Sequence, residues 1–354
     1  MLITNLKLKN FRNYDELNLK FNKNINIFYG NNAQGKTNII ESIFLCAIGK
    51  SFRTNKDKEL IKFEKDFLNI EVNYEKSDRD GKIKIEISDK KNVFLNGIKT
   101  KKLSELIGKI NVVLFTPDDI NILKNGPKMR RRFLDIMISQ LRPNYIYCLN
   151  MYSKTLEQRN MYLKQIKLEK KNPELLDLWD EKLAEYGEKI YNYRKEFIEK
   201  IKEKINKIHK KITNNNETVE LEYISDFSTK ENFYSALKQN QKIDIIRGAT
   251  SKGIHKDDFI VNLNGKNVSI YGSQGQNRTV VLSLKMSELQ VIKDEIGENP
   301  ILLLDDFMSE LDEERRNNFL KNIGNTQVFV TCTDKLELEN VEYDIFNVKK
   351  GEIF

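Results

Sequence analysis

The chain has 354 residues, 39% of them hydrophobic and 32% charged, with 16 Gly, 5 Pro and a net charge of +8 from 60 basic and 52 acidic side chains. That length suits about two globular domains and excludes collagen-like or extensively disordered chains, while the mild positive charge is compatible with a polyanionic partner without demanding one. Cys46, Cys148 and Cys332 form no C-x-x-C pair and no apolar run is long enough to span a bilayer, so a disulfide framework, a zinc site and a membrane partner are not expected.

Leu2 to Leu8 alternates apolar and polar residues as a half-buried strand does, which is not the pattern of a secretory leader, and a cytoplasmic location is expected. Ile25 to Tyr29 is a short strand running into Gly30. From Thr37 the period becomes helical, with Ile39, Ile40, Ile43, Phe44 and Ala47 on one face. Strands follow at 70–74, 82–87 and 93–95, the last ending in the turn signal Asn96-Gly97. Pro127, Pro143 and Pro173 each precede a helical pattern, where the missing N–H is tolerated. From Leu176 to Ile212 the apolar residues step by threes and fours, which predicts one long amphipathic helix or a broken pair. Trp179 sits on its apolar stripe as a core residue, His209 beside lysines as a surface residue, and 145–170 is read as the antiparallel partner. Strands return at 219–223, 259–263, 301–304 and 328–330. The divisions read from this pattern are a strand-rich part over 1–125, an inserted helical lobe over 126–215 and a second strand-rich part over 216–354.

Gly30-Asn31-Asn32-Ala33-Gln34-Gly35-Lys36-Thr37 fits G-x-x-x-x-G-K-[ST], with a strand before it and a helix after it. The glycines let backbone N–H groups close around a phosphate, and the helix directs its positive end at the anion. Lys36 is then expected to reach the β- and γ-phosphates of ATP and Thr37 to ligate Mg²⁺. The apolar strand Ile301 to Leu304 ends in Asp305 and Asp306. Asp305 is read as the Mg²⁺-side carboxylate, and Asp306 as the group that polarises the attacking water. Ser273-Gln274-Gly275-Gln276 opens another helix and forms a second anion-binding segment.

The order of these segments resembles the ABC-type ATPases: glycine loop, Ser273–Gln276 segment, acidic strand, then Ser309-Glu310-Leu311-Asp312. The resemblance implies an α/β fold, an ABC-type ATPase head (a mixed sheet with a P-loop core) carrying an inserted α-helical lobe. It implies that Ser273, Gln274, Gly275 and Gln276 cap ATP in trans in an ATP-dependent homodimer, and that Asp312 couples the two sites. The opening Ile3-Thr4-Asn5-Leu6 through Asn10-Phe11-Arg12-Asn13-Tyr14 is similar to SMC, Rad50 and RecF proteins. The blocks Lys50-Ser51-Phe52-Arg53-Thr54, Phe115-Thr116-Pro117-Asp118-Asp119, Arg130 to Asp135, Gly253 to Asp258 and Tyr271 to Thr279 resemble the RecF family most. That family implies binding of duplex DNA at single-strand gaps, RecO and RecR as partners, RecA loading and association with the nucleoid. Asp306 stands where most ABC ATPases carry Glu, which implies slow hydrolysis. After Val330 no His occurs, so a γ-phosphate sensor is Thr331 or Thr333, and the residues do not choose between them.

Arg130, Arg131 and Arg132 read equally as a phosphate-neutralising cluster or as an ion-paired helix face, and Arg53 as a DNA or nucleotide contact. His255 beside Asp257 and Asp258 lacks further ligands, which favours a structural role. The alternative to a DNA clamp is another SMC-like ATPase that acts as a nucleotide-switched scaffold without touching DNA. A nuclease is disfavoured, since no second carboxylate cluster is visible.

Overall fold

The computed structural model describes residues 1–213, 216–307, 319, 323–335 and 342–354. The N-terminal run begins with β1 (Leu2–Phe11) and β2 (Tyr14–Lys20), joined by a tight turn at Arg12, whose φ is 55°. β1 buries Ile3, Leu6, Leu8 and Phe11, and an irregularity between Ile3 and Asn5 lets Asn5 also lie inside, where its amide donates to the Leu19 carbonyl at 2.7 Å. Next come β3 (Ile25–Tyr29) and α1 (Lys36–Ile48). The strands β4 (Leu68–Glu75), β5 (Asp80–Ile87), β6 (Lys91–Leu95) and β7 (Ile98–Lys99) then complete an antiparallel sheet in the order β2-β1-β4-β5-β6-β7. The turn between β6 and β7 is Asn96-Gly97, both residues with positive φ, as a two-residue hairpin requires. β8 (Val112–Phe115) closes this stretch.

The middle of the chain is mainly helical. α2 (Asn121–Lys124), α3 (Pro127–Leu141) and α4 (Pro143–Glu169) are followed by α5 (Asp177–Ile212). Pro127 and Pro143 each occupy the first turn of their helix. α5 is a single unbroken helix of 36 residues, and it buries Leu183, Ile190, Phe197, Ile201 and Ile205 along one stripe. Trp179 packs partly buried against Tyr162, Leu163, Ile166 and Leu176. Then come β9 (Val219–Ile224), α6 (Lys230–Gln239), α7 (Gln241–Arg247), β10 (Asp258–Leu263), β11 (Lys266–Asn267), α8 (Val268–Tyr271) and α9 (Gln274–Ile296). A small antiparallel sheet runs β11-β10-β9. Two arginines are enclosed among these elements. Arg159 is bonded to Asp180, Asp244 and Thr250 at 2.5, 2.7 and 2.8 Å, and Arg194 to Asp135 and the Ile254 carbonyl at 2.9 and 2.8 Å. A charge hidden from water survives only with such partners.

The last part returns β12 (Ile301–Leu304), β13 (Val328–Cys332), β14 (Tyr343–Lys349) and β15 (Glu352–Ile353). They form a second six-stranded sheet with earlier strands in the order β15-β14-β3-β13-β12-β8, parallel except for the β14–β15 hairpin. Every residue of β12 is buried, as in a parallel strand covered on both faces.

The chain forms two compact units, residues 1–119 with 288–354, and residues 120–287. The sequence boundaries at 125 and 215 differ from this. The second unit continues past 215 because β9 packs on α5 and β10 on α3, so these strands belong with the helices. Among the described residues no helix is long and apolar enough to cross a membrane.

Candidate nucleotide-binding site

β3 lies inside the parallel sheet, and the chain leaves it at Gly30 with φ 146°. A Cβ there would lie 2.4 Å from the Val348 carbonyl oxygen. At Gly35, φ is 117° and a Cβ would lie 2.6 Å from the Asn13 amide nitrogen. Both glycines are therefore required by the loop's shape before any ligand is considered. The loop is pinned from two sides. Asn13 donates to the Gln34 carbonyl at 2.7 Å and accepts from Asn38 at 2.8 Å, while the Tyr14 hydroxyl donates to the Gly35 carbonyl at 3.2 Å. Across from them, the backbone N–H of Lys350 donates to the Gln34 side chain at 2.7 Å and that of Gly351 to the Gln34 carbonyl at 3.1 Å. The Lys36 ammonium is folded into the loop and donates to the carbonyls of Gly30 and Asn31 at 2.5 and 2.9 Å.

Asp305 follows β12, and its N–H donates to the Phe115 carbonyl of β8 at 2.9 Å. Its carboxylate accepts from the Thr37 hydroxyl at 2.8 Å and from the Thr331 hydroxyl at 2.9 Å. Burial pushes the Asp305 carboxyl up from its usual range, and the two hydroxyls partly oppose that. Asp306 turns into the left-handed region at φ 48° and is held there by its N–H donating to Thr331 at 2.9 Å. Glycine loop, Lys36, Thr37 and Asp305 thus converge, although Thr37 and Asp305 are 268 positions apart. A threonine hydroxyl beside a carboxylate is an all-oxygen donor set of the kind that suits Mg²⁺. Asp305 arrives buried and raised toward its protonated form, a state that a nearby cation reverses.

Behind the loop, α1 carries a fully buried carboxylate that no motif in the sequence marks. Glu41 accepts a two-pronged bond from Arg12 at 2.9 and 2.7 Å, a bond from Ser51 at 2.5 Å, and one from Arg53 at 3.3 Å. Arg53 also donates to Asn38 at 2.8 Å, and its charge helps to hold the Asp305 carboxyl down. Arg53 is therefore placed at the nucleotide end of α1. Arg12, Asn13 and Ser51 lie within the blocks that carried the resemblance, yet nothing in their spacing reveals that they brace the loop.

Ser273 to Gln276 lies in the other unit, at the start of α9. Ser273 and Gln276 form a reciprocal capping box: the Ser273 N–H donates to the Gln276 side chain at 2.9 Å, and the Gln276 N–H to the Ser273 hydroxyl oxygen at 3.2 Å. Ser273, Gln274 and Gly275 are exposed. A Cβ on Gly275 would meet nothing closer than the Ser273 oxygen at 4.0 Å. Asp312 lies outside the described residues, as do Ser309 to Leu311.

The arginine triplet is divided by the fold. Arg130 forks onto Asp258 at 2.6 and 2.9 Å, and Arg131 donates to the Asp257 carbonyl at 2.7 Å, which leaves Arg132 as the exposed member. His255 is structural: its ring meets the Tyr152 hydroxyl at 2.8 Å and the Thr250 carbonyl at 3.2 Å, and burial lowers its pKa to about 4. His209 corrects the surface expectation. It is fully buried, 2.9 Å from the Ser283 hydroxyl and 3.2 Å from Glu217. The lysines beside it in sequence flank it on the helix, but its own ring turns inward to meet Ser283 of α9 and Glu217.

Residues 2–353 match the family described as the RecF/RecN/SMC N terminal domain. The DNA replication and repair protein RecF of Clostridium acetobutylicum is 44% identical over 362 residues, spanning 100% of this chain and 99% of that one, and its counterpart in Acetivibrio thermocellus is 46% identical over 96% and 95%. A solved structure of the recombination mediator protein RecF with ATP, in the RecFOR pathway, superposes with a TM-score of 0.94 at 38% identity, covering 99% of this chain and 96% of that one. An Smc head domain from Pyrococcus furiosus shares the fold at a TM-score of 0.58 and 18% identity, covering 99% and 94%. The glycine loop, the acidic strand and the full-length similarity converge on one conclusion: the chain belongs to the RecF family of DNA replication and repair proteins, with the ATPase-head fold of the RecF/RecN/SMC class.

Proposed function

We propose that this chain is an ATP-switched DNA clamp that dimerises around nucleotide and binds duplex DNA at single-strand gaps. In this reading Gly30 to Thr37 cradle ATP, and Ser273 to Gln276 of a second copy cap the γ-phosphate. The observation that carries it is Gly275: it is exposed at a helix start, and the chain's own packing has no need of a glycine there. A phosphate approaching from another molecule does need one, because a Cβ would stand between it and the backbone N–H groups.

Lys36 exchanges its two carbonyl partners for phosphate oxygens and so senses the nucleotide's presence. Mg²⁺, when bound, would be held by Thr37 and Asp305 and supplies charge against the phosphate oxygens. Asp306 orients the attacking water, and its short side chain keeps hydrolysis slow. Thr331 is fully buried and engaged with Asp305 and Asp306, whereas Thr333 is exposed. Thr333 is thus the better γ-phosphate sensor.

With Arg130 and Arg131 occupied, DNA contact moves to the other unit. A cleft of about 440 Å³ there is lined by Lys50, Lys99, Lys101 and Lys102, all exposed, with Ser51 and Asn92. Lys91 also lines it, paired with Asp57 at 2.6 Å, and the four exposed ammonium groups around this concavity suit a phosphodiester backbone and carry no base readout. Membership of the family supports RecR and RecO as partners, RecA loading as the outcome, DNA-stimulated turnover and a place on the nucleoid.

Sizing the protein with and without ATP tests the dimer. The wild type is expected to double in mass with ATP, and Lys36→Arg and Ser273→Arg are expected to stay monomeric, the latter while still binding ATP. Dimerisation indifferent to ATP would overturn the capping mechanism.

A further inference from the structure

The capping box does not stand alone. The Gln276 side-chain amide donates to Glu217 at 2.8 Å, and the other oxygen of Glu217 lies 3.2 Å from His209 Nε2. His209 Nδ1 in turn meets the Ser283 hydroxyl at 2.9 Å. The series runs from an exposed loop residue through Gln276 and a four-fifths-buried Glu217 to a fully buried ring in the last turn of α5.

Each link leaves its neighbour one orientation. A carboxylate only accepts, so Gln276 must turn its NH₂ toward Glu217 and its oxygen toward Ser273. That oxygen takes the Ser273 N–H, while the Ser273 oxygen takes the Gln276 N–H. With its oxygen already accepting, the Ser273 hydroxyl has its proton left to donate outward, as a γ-phosphate oxygen requires. Asn277 holds the same turn from behind, donating to the carbonyls of Gly272 and Ser273 at 2.9 and 2.8 Å. At the far end, burial favours the neutral imidazole. The carboxylate selects the tautomer with its proton on Nε2, which donates to Glu217, and Nδ1 faces the Ser283 hydroxyl, whose one proton also has the Thr279 carbonyl within reach at 2.9 Å.

We infer that Glu217, backed by His209, is a positioning residue for ATP capping, acting through Gln276 to aim the Ser273 hydroxyl at a partner's nucleotide. Gln276 then serves to orient Ser273 and is not itself a ligand of the phosphate. The inference rests on the trans-capping reading and specifies which residues outside the motif make it work. It also gives the helical lobe a physical connection to the cap, because His209 belongs to α5.

The test measures two constants: ATP affinity at concentrations where the chain is monomeric, and the ATP-driven dimerisation constant. Glu217→Ala is expected to leave the first unchanged and to weaken the second about tenfold for each of two sites, the worth of one hydrogen bond to a charged group. Glu217→Gln keeps an acceptor for Gln276, with the imidazole proton moving to Nδ1, and is expected to stay within about threefold of wild type. Gln276→Ala and the Glu217→Ala/Gln276→Ala pair should match Glu217→Ala alone, because one route is being cut twice. Additive losses, or a Glu217→Ala chain that dimerises like wild type while Ser273→Arg does not, would overturn the inference and leave the capping reading intact. If Ser273→Arg still dimerises with ATP, the capping reading falls, and the inference falls with it.

Discussion

Thr331 and Thr333 carry the same hydroxyl two positions apart, and the end of β13 gives them different duties. Thr331 is fully buried; it donates to Asp305 and accepts from the half-buried Asp306. Thr331→Val removes both bonds and should cost about 2 kcal/mol of stability along with activity. Thr333→Ala should change stability by less than about 0.5 kcal/mol yet slow single-turnover hydrolysis, and thermal melts beside turnover measurements separate the two. His255 makes a second prediction at this scale. Its folded pKa of about 4 lies below the ordinary histidine value, so between roughly pH 6.5 and 4 the unfolded chain binds a proton that the folded chain refuses. Stability therefore falls as pH drops through that window, by about 3 kcal/mol from this one group. Buried His209 adds a loss of the same sign. A His255→Asn chain should show a smaller difference between melts at pH 7 and pH 5 than wild type does.

Among elements, α1 has two duties. Its first turn supplies Lys36 and Thr37, and one turn further on Glu41 ties together Arg12 from the β1–β2 turn and Ser51 and Arg53 from the following loop. Glu41 is fully buried while Arg12 retains some exposure. Its loss would leave Arg12 without its forked partner, at about 3 kcal/mol. Denaturant unfolding of Glu41→Ala checks this, and a loss below about 0.5 kcal/mol would mean that the fork is incidental. ATP affinity should weaken in the same variant, because the loop is braced by the turn that contains Arg12 and Asn13. α5 shows the opposite relation between pattern and structure: its three-and-four spacing persists along the whole helix, which forms over the expected residues.

At the scale of the whole molecule, the two units divide the labour that the proposed dimer reunites. One carries the glycine loop, Asp305 and the lysine cleft, and the other carries Ser273 to Gln276 with Glu217 and His209 behind them. DNA binding through the cleft has a measurable signature. Replacing Lys99, Lys101 and Lys102 with Glu should weaken duplex binding, and it should flatten the dependence of affinity on salt by roughly one unit of slope for each phosphate no longer neutralised. ATP affinity should not change. Unaltered DNA binding in this variant would instead favour the scaffold reading, in which the chain switches protein partners without touching DNA.

What could be read directly from the residues was whatever depends on neighbours in sequence. The loop from Gly30 to Thr37, the helix-opening segment from Ser273 to Gln276, the buried run 301–304 and the stripe on α5 each depend on residues close together in the chain. Backbone geometry and side-chain period act at that range, so they leave a pattern. β8 and β14 left little, because what makes them strands is pairing with β12 and β3, far away in the chain. The same reason decided the arginine triplet, the two threonines and His209. Their sequence neighbours pointed to a surface, or to no choice at all. Asp258, Asp305 and Glu217 fix where Arg130, Thr331 and His209 lie, because a buried polar group goes where a partner is, and only the folded chain brings the partner there.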